Sequence, residues 1–354
     1  MPRVSAISPN RICRHFGDCG GCALQDLPAA DYRAGKRAMV QAALMKAGVS
    51  AEVLDVVSVP PHSRRRAVLE ISCGEIGFHA VKSHEIVDMR ECLVLARGLF
   101  ALVQQLRSRF GFLKAPADLH VTETLTGFDL GIRSPQKLNP QMSADLAGAV
   151  AGLGIVRVTF NNALVLESAA PQVEEGGVRV HLPPYAFLQS TVEGEAALQE
   201  RVLKIVGKAK LVADLFSGVG TFALPLAAKA KVHAVEQDPP ALAALAEAAK
   251  APGLKPVTTE RRDLFKLPLT PAELKPYDAV VLDPPRAGAE AQARQLAKSQ
   301  VPLIAYVSCD AGSFARDAAI LVKGGYRLGP VTPIDQFLWS SHIELVAAFI
   351  RDKR

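Results

Sequence analysis

No apolar run in this chain approaches the ~20 residues needed to span a bilayer, which excludes a membrane-crossing helix. The opening stretch MPRVSAISPNR has no apolar core of the kind a secretory signal needs, so the cytoplasm is the expected location. Disulfides are rare in that reducing compartment. The six cysteines are therefore expected to be free thiols, metal ligands or catalysts. The glycine turn DLFSGVG (214–220) is not GxGxxG, and no Lys-Ser/Thr pair follows it. That sets aside the dinucleotide fingerprint and the phosphate-cradling loop.

What is present is an ordinary globular composition, 49% hydrophobic and 21% charged, in 354 residues, enough for two domains. The net charge of +6 is unevenly placed. Residues 1–110 hold 15 Lys/Arg against 10 Asp/Glu, and the remainder is close to neutral. A basic first third beside a neutral remainder suits a polyanion-binding module attached to a catalytic one. Within it, Arg64-Arg65-Arg66 and the run RAGKR (33–37) are the candidate phosphate contacts.

From about residue 193 short apolar strands alternate with helical segments, the pattern of a parallel sheet covered on both faces. The last two strands, around YRLGPVTPID and IELVAAFIRD, lie close together and can place one antiparallel strand in that sheet. Gly218 and Gly220 permit a tight turn and close approach of a ligand. Glu236 ends the next strand, where a carboxylate can accept both hydroxyls of a ribose. Together they predict a nucleoside-containing cofactor. Without the dinucleotide fingerprint, S-adenosylmethionine is favoured over NAD. In VVLDPPR (280–286) Asp283 and two prolines stiffen a loop at the crevice edge. Cys309 closes the strand PLIAYVSC and should open into the same crevice. Glu344 leads into the last apolar strand, as an exposed strand end or as a site group.

Near the start, Cys13, Cys19 and Cys22 make a C-x5-C-x2-C pattern with two glycines between the last pair. By itself this is compatible with zinc, an iron–sulfur cluster or free thiols. A fourth ligand would come from Cys92 or Cys73, and Cys73 sits in a strand-like run that reads as core. Residues 50–180 show short alternating strands, read as an α+β substrate-recognition region. Tyr185 and Phe187 stand at its junction with the α/β half, where they line either the crevice or the core.

Eight segments recur in order: CRHFGDCGGCALQ, GFHAVKSHEIVDMRECLVL, FLQST, DLFSGVGTFALPLA, VEQD, LDPPRAG, VSCDAGSFARD and DQFLWSSHIELVA. With them the chain resembles the RNA uracil-C5 methyltransferases, in particular the iron–sulfur branch that modifies large-subunit ribosomal RNA. The resemblance implies an α/β Rossmann-like class I methyltransferase domain at 186–354. It implies a smaller α+β iron–sulfur and RNA-recognition domain at 1–185. Cys309 matches the family's nucleophile and Glu344 its base. Gln189, Phe216, Glu236, Asp263 and Asp283 match groups that hold S-adenosylmethionine. Cys13, Cys19, Cys22 and Cys92 match ligands of a [4Fe–4S] cluster. The implied partner is 23S ribosomal RNA, with no membrane, acted on by a monomer.

The chain departs from the family pattern in places. Thr221 stands where asparagine is common, Asp310-Ala311-Gly312 replaces Asn-Pro-Ala, and FLWSSHIE replaces the usual lead into the base. The N-terminal β-barrel carried by many members is expected to be missing. Two other readings stand beside this one. A transfer-RNA uridine enzyme generally lacks the four cysteines. A non-catalytic iron–sulfur RNA-binding or redox-sensing protein would not need Cys309 and Glu344 together.

Overall fold

The computed structural model describes residues 12–351. Residues 1–11, where no signal is read, and 352–354 lie outside the described residues. The chain enters through helix α1 (Ala29–Lys46) and strand β1 (Val57–Ser58). A first unit follows: β2 (Arg66–Ser72), β3 (Glu75–Gly77), α2 (Arg97–Arg109), β4 (Ala117–Thr124), β5 (Gly127–Arg133), α3 (Pro140–Val150), β6 (Ile155–Phe160) and β7 (Ala163–Glu167). A hairpin, β8 (Gln172–Glu175) and β9 (Val178–His181), leads to α4 (Val192–Val206). Then come β10 (Leu211–Leu215), α5 (Ala223–Ala227), β11 (Lys231–Glu236), α6 (Pro239–Ala248), β12 (Val257–Arg261) and α7 (Pro271–Leu274). The chain closes with β13 (Ala279–Leu282), α8 (Glu290–Lys298), β14 (Leu303–Ser308), α9 (Ala311–Lys323), β15 (Arg327–Leu328), β16 (Thr332–Asp335) and β17 (Glu344–Ile350).

The large sheet runs β1-β16-β17-β14-β13-β10-β11-β12, with β15 also on β17. Its inner strands are apolar throughout because helices cover both faces: all four residues of β13 are buried, as are five of the six in β14. Helix starts are fixed by side-chain caps. Asp310 accepts from the Ser313 amide at 2.8 Å, and Thr191 from the Gly194 amide at 2.9 Å. Strand order reverses at β10, whose neighbours are β11 and β13. A crevice therefore opens at the carboxyl ends of these strands, where ligands of such sheets bind. The last strand is the exception in direction, as its close spacing in sequence suggested. β17 runs antiparallel to both β14 and β16. Its first residue, Glu344, thus comes to the edge at which β14 ends.

The first unit is a six-stranded sheet, β3-β2-β4-β5-β6-β7, backed by α2 and α3 around Leu99, Leu102, Leu119, Leu130 and Phe160. The chain does not divide cleanly at 185/186. Val40 and Leu44 of α1 join the core of the large sheet with Phe314 and Leu345. β1 pairs in parallel with β16. Val173, Val178 and Val180 of the hairpin pack with Val212 and Leu224. Part of the N-terminal sequence is thus structurally part of the C-terminal unit. Among the described residues no helix is long and apolar enough to cross a membrane.

Candidate active site

The cofactor side of the crevice is built on the turn after β10. Gly218 has φ +52° and Gly220 has φ +106°. A Cβ on Gly220 would lie 2.5 Å from Leu245, so this glycine permits the packing of α6 against the turn. A Cβ on Gly218 would meet no atom within 4 Å, so the turn faces open space there. The Gly218 amide donates to Glu236 Oε2 at 3.0 Å, which ties the strand-end acid to the turn. Phe216, also at positive φ, lies against Phe265 with ring centroids 5.4 Å apart. Asp263 accepts from the Phe265 amide at 3.1 Å, so Phe216, Glu236 and Asp263 gather along one side of the opening.

The catalytic side holds a hydrogen-bonded row of side chains. Gln336 Nε2 donates to Glu344 Oε1 at 3.1 Å and to Gln189 Oε1 at 2.6 Å. Gln189 Nε2 donates in turn to Asp283 Oδ2 at 3.2 Å. Gln336 Oε1 accepts from the Ser190 and Thr191 amides, so its orientation is fixed from both ends. Glu344 Oε2 is buried without a partner. Burial first, then the nearby Asp283 charge, pushes the Glu344 carboxyl up to about 8. Burial likewise raises Asp283 to about 7, against the Gln189 hydrogen bond. The Cys309 thiol is pushed up to about 12 by burial and then by the charges of Glu344 and Asp283. Cys309, Glu344 and Asp283 therefore share one poorly hydrated space.

Two residues of this space escaped the reading of the sequence. Gln336 connects the row, but its partner Gln189 is 147 positions away, so no spacing could signal it. Asp214 is fully buried in β10 with at most the Ala223 amide for its carboxylate, and the Ser217 hydroxyl has no partner among the described residues. Burial, then the charges of Asp283 and Glu236, hold the Asp214 carboxyl well above the usual range. An acid inside the apolar run LVADLF was the available signal.

Cys13, Cys19, Cys22 and Cys92 line one cavity together with Phe16, Phe78, Met89 and Arg64. The Gly21 amide lies 3.4 Å from Cys19 Sγ and the Leu95 amide 3.5 Å from Cys92 Sγ. Burial raises all three of Cys19, Cys22 and Cys92, Cys22 to about 12, with the neighbouring cysteines adding to the effect. Among the described residues, no three His, Cys, Asp or Glu side chains stand close enough to hold a metal ion. Gly20 serves close approach, since a Cβ there would lie 2.9 Å from the His79 carbonyl. Cys73, expected in the core, is instead exposed at φ +50° in the turn between β2 and β3.

One cation of each basic run turns inward. Lys36 is 2% exposed and pairs with Asp335 at 2.9 Å; Arg65 is 7% exposed and pairs with Glu195 at 2.6 Å. Tyr185 packs on the first unit, its ring where a Gly131 side chain would stand, whereas Phe187 is 68% exposed under the Arg66 guanidinium. An open groove of about 490 Å³, lined by Gly20, Arg64, Lys82, Ser341 and His342 among others, runs between the cysteine segment and the loop before Glu344.

The sheet, its switch point and the glycine turn define an S-adenosylmethionine-dependent methyltransferase fold. A family model described as the TRM5/TYW2 methyltransferase domain matches residues 172–261. The chain is 47% identical to an uncharacterized RNA methyltransferase of Brucella suis biovar 1, over 98% of this chain and 85% of that protein. It is 32% identical to the 23S rRNA (uracil(1939)-C(5))-methyltransferase RlmD of Chromohalobacter salexigens, over 98% of this chain and 78% of that protein. Its fold matches Pyrococcus abyssi tRNA (uracil-54, C5)-methyltransferase in complex with S-adenosyl-L-homocysteine. That match has a TM-score of 0.76 and 22% identity, over 94% of this chain and 86% of the other. The chain belongs to this family of RNA methyltransferases.

Proposed function

We propose that the protein transfers a methyl group from S-adenosylmethionine to carbon 5 of a uridine in 23S ribosomal RNA, in the cytoplasm. The observation that carries the reading is the row Glu344–Gln336–Gln189–Asp283 lying beside the Cys309 thiol at one sheet edge. The cofactor fits what the crevice offers: open space at Gly218, the buried carboxylate of Asp214, and Glu236, Phe216 and Asp263 alongside. Gln189 and Asp283 complete the set that holds it. S-adenosylmethionine, when bound, supplies an electrophilic methyl on a cationic sulfur.

Uracil C5 is a poor carbon nucleophile. Addition of the Cys309 sulfur to C6, its thiol proton passing to solvent, moves electron density onto C5, which would take the methyl group and leave S-adenosylhomocysteine. Glu344, once its own proton has passed to solvent, accepts the C5 proton as a carboxylate, the C5=C6 bond reforms, and the carbon–sulfur bond breaks to release the thiolate. A target uridine within folded RNA must leave its stack to reach Cys309. The groove between the cysteine segment and loop 337–342 is the route we assign to the RNA strand. That Cys13, Cys19, Cys22 and Cys92 line one cavity is the support for reading them as ligands of an iron–sulfur cluster, and their side chains would have to close up and lose their protons to hold it.

The test is nucleoside analysis after incubating anaerobically purified protein with labelled S-adenosylmethionine and RNA from a strain lacking the gene. Label in 5-methyluridine from the ribosomal fraction is expected. Label only in transfer RNA moves the substrate, and label in 5-methylcytidine removes the chemistry. Cys309→Ala should abolish transfer. Glu344→Gln should stop after addition and leave a covalent protein–RNA adduct. Iron and acid-labile sulfide should copurify with the protein and be lost in Cys92→Ser; stoichiometric zinc instead would overturn the cluster.

A further inference from the structure

The residues before Glu344 form a loop, 336–343, that reaches from β16 to β17 across the mouth of the crevice. The N-terminal segment grips this loop at three places. Lys36, on the buried stripe Tyr32-Lys36-Val40-Leu44 of α1, has three N–H donors and three acceptors: Asp335 Oδ1 at 2.9 Å, the Phe337 carbonyl at 3.4 Å and the His342 carbonyl. It therefore ties the two ends of the loop together. The Tyr32 hydroxyl donates to Asp335 Oδ2 and accepts from the Trp339 amide at 2.8 Å. The Trp339 carbonyl accepts from the Ala23 and Leu24 amides at 2.7 and 2.9 Å, directly after Cys22.

Trp339 stands at φ +57°, a conformation a bulky residue holds only where its surroundings over-determine it. Here both its backbone groups are claimed by the N-terminal segment. Asp335 precedes Gln336, the residue that orients Glu344 and Gln189. A displacement of this loop is therefore a displacement of the Glu344 carboxyl.

We propose that Lys36, with Tyr32 and the Ala23-Leu24 amides, is a positioning residue for the proton-abstracting carboxylate. The clasp between α1, the cysteine segment and loop 336–343 sets the orientation of Glu344. The inference rests on the reading of Glu344 as the base. It gives the cysteine segment a part in the reaction without contact to substrate. It also accounts for a lysine on an otherwise apolar helix stripe, where a solvated or phosphate-binding cation would face outward.

The test uses the whole chain, purified anaerobically, and compares Lys36→Met and Tyr32→Phe with Leu44→Ala. Leu44 lies on the same helix stripe, packs in the core and makes none of the hydrogen bonds that hold the loop. Below the unfolding temperature of all variants, Lys36→Met should keep methyl transfer in a single turnover within about twofold. Release of product RNA should slow on the order of tenfold, because a base misplaced by a fraction of an ångström loses proton transfer first. The readout is accumulation of the covalent protein–RNA adduct on denaturing gels, together with a shift of the pH profile for release. Tyr32→Phe should show the same pattern more weakly, and Leu44→Ala should lower stability without adduct.

Hydrogen exchange of the 336–343 amides checks the clasp independently of activity. It should quicken in Lys36→Met and stay unchanged in Leu44→Ala. Unchanged exchange in Lys36→Met overturns the clasp whatever RNA product forms. Quickened exchange with wild-type adduct levels overturns its link to the base. A wild-type protein that methylates no uridine removes the base reading instead, while the exchange result still decides the clasp.

Discussion

Glu344 carries a stability cost that its chemistry requires. Its carboxyl sits near 8 in the folded protein, mainly through burial, against an ordinary value near 4.5. The folded state therefore keeps a proton that the unfolded chain releases, and stability falls as pH rises between those values. Glu344→Gln removes the effect while preserving the Gln336 contact at Oε1. The variant should gain about 1 to 2 kcal/mol over wild type at pH 8.5 and close to nothing at pH 5, read by urea unfolding. An unchanged difference across pH would mean that Glu344 is already solvated and is not the raised group. Cys309 and Glu344 were legible as residues because each closes or opens an apolar strand. What brings them together was half visible: the close spacing suggested an antiparallel strand, but not that β17 would lie beside β14, so that the start of one strand meets the end of the other. Gln336 was illegible for a related reason, since its value lies in contacts to Gln189 and Glu344 made across the sheet.

At the scale of elements, the turn after β10 separates two uses of glycine. Gly220→Ala places a Cβ 2.5 Å from Leu245 at φ +106°, so repacking and backbone strain add. It should cost about 2 to 4 kcal/mol in thermal unfolding. Gly218→Ala meets nothing within 4 Å and carries only the strain of φ +52°. It should cost about 1 kcal/mol of stability, yet weaken S-adenosylmethionine binding on the order of tenfold, because its methyl fills the space the ligand approaches. Calorimetric titration beside thermal melts distinguishes the two, and equal losses of affinity would place the ligand elsewhere. The strands of the α/β half were readable because burial on both faces leaves continuous apolar runs such as AVVL. The helix after the turn was not, and only Ala223–Ala227 of TFALPLAAKA is helical. Two cations of the basic runs, Lys36 and Arg65, are structural instead, for a clear reason. Lys36 and Arg65 find their acids 299 and 130 positions away, and a local pattern cannot distinguish such a cation from a phosphate contact.

The whole molecule is held together at the place where these long-range pairs meet. Arg65 lies at the start of the first unit, donates to the Gln189 carbonyl at 3.1 Å and pairs with Glu195 of α4. Glu195 shares a hydrogen bond with Glu175 of the hairpin, which accepts from Gln199; Gln199 also donates to the carbonyl of Thr221, directly after the glycine turn. Burial and then Glu195 hold the Glu175 carboxyl well above its ordinary value, so this pair keeps a proton between its carboxyls and carries one negative charge, which Arg65 offsets. The chain thus connects its two units through a buried charge group that also braces Gln189 and the turn. No sequence segment announces that junction, and it explains why a boundary drawn at one residue could not describe the packing. Arg65→Met leaves the two carboxyls without their cation. It should cost about 3 to 5 kcal/mol at pH 8. The loss should shrink at pH 5, because protonation neutralises carboxyls whose folded values have risen further without the guanidinium. Urea unfolding at the two pH values reads this directly. An equal loss at both would show that Arg65 contributes packing alone, and that the two units are joined by shape rather than by charge.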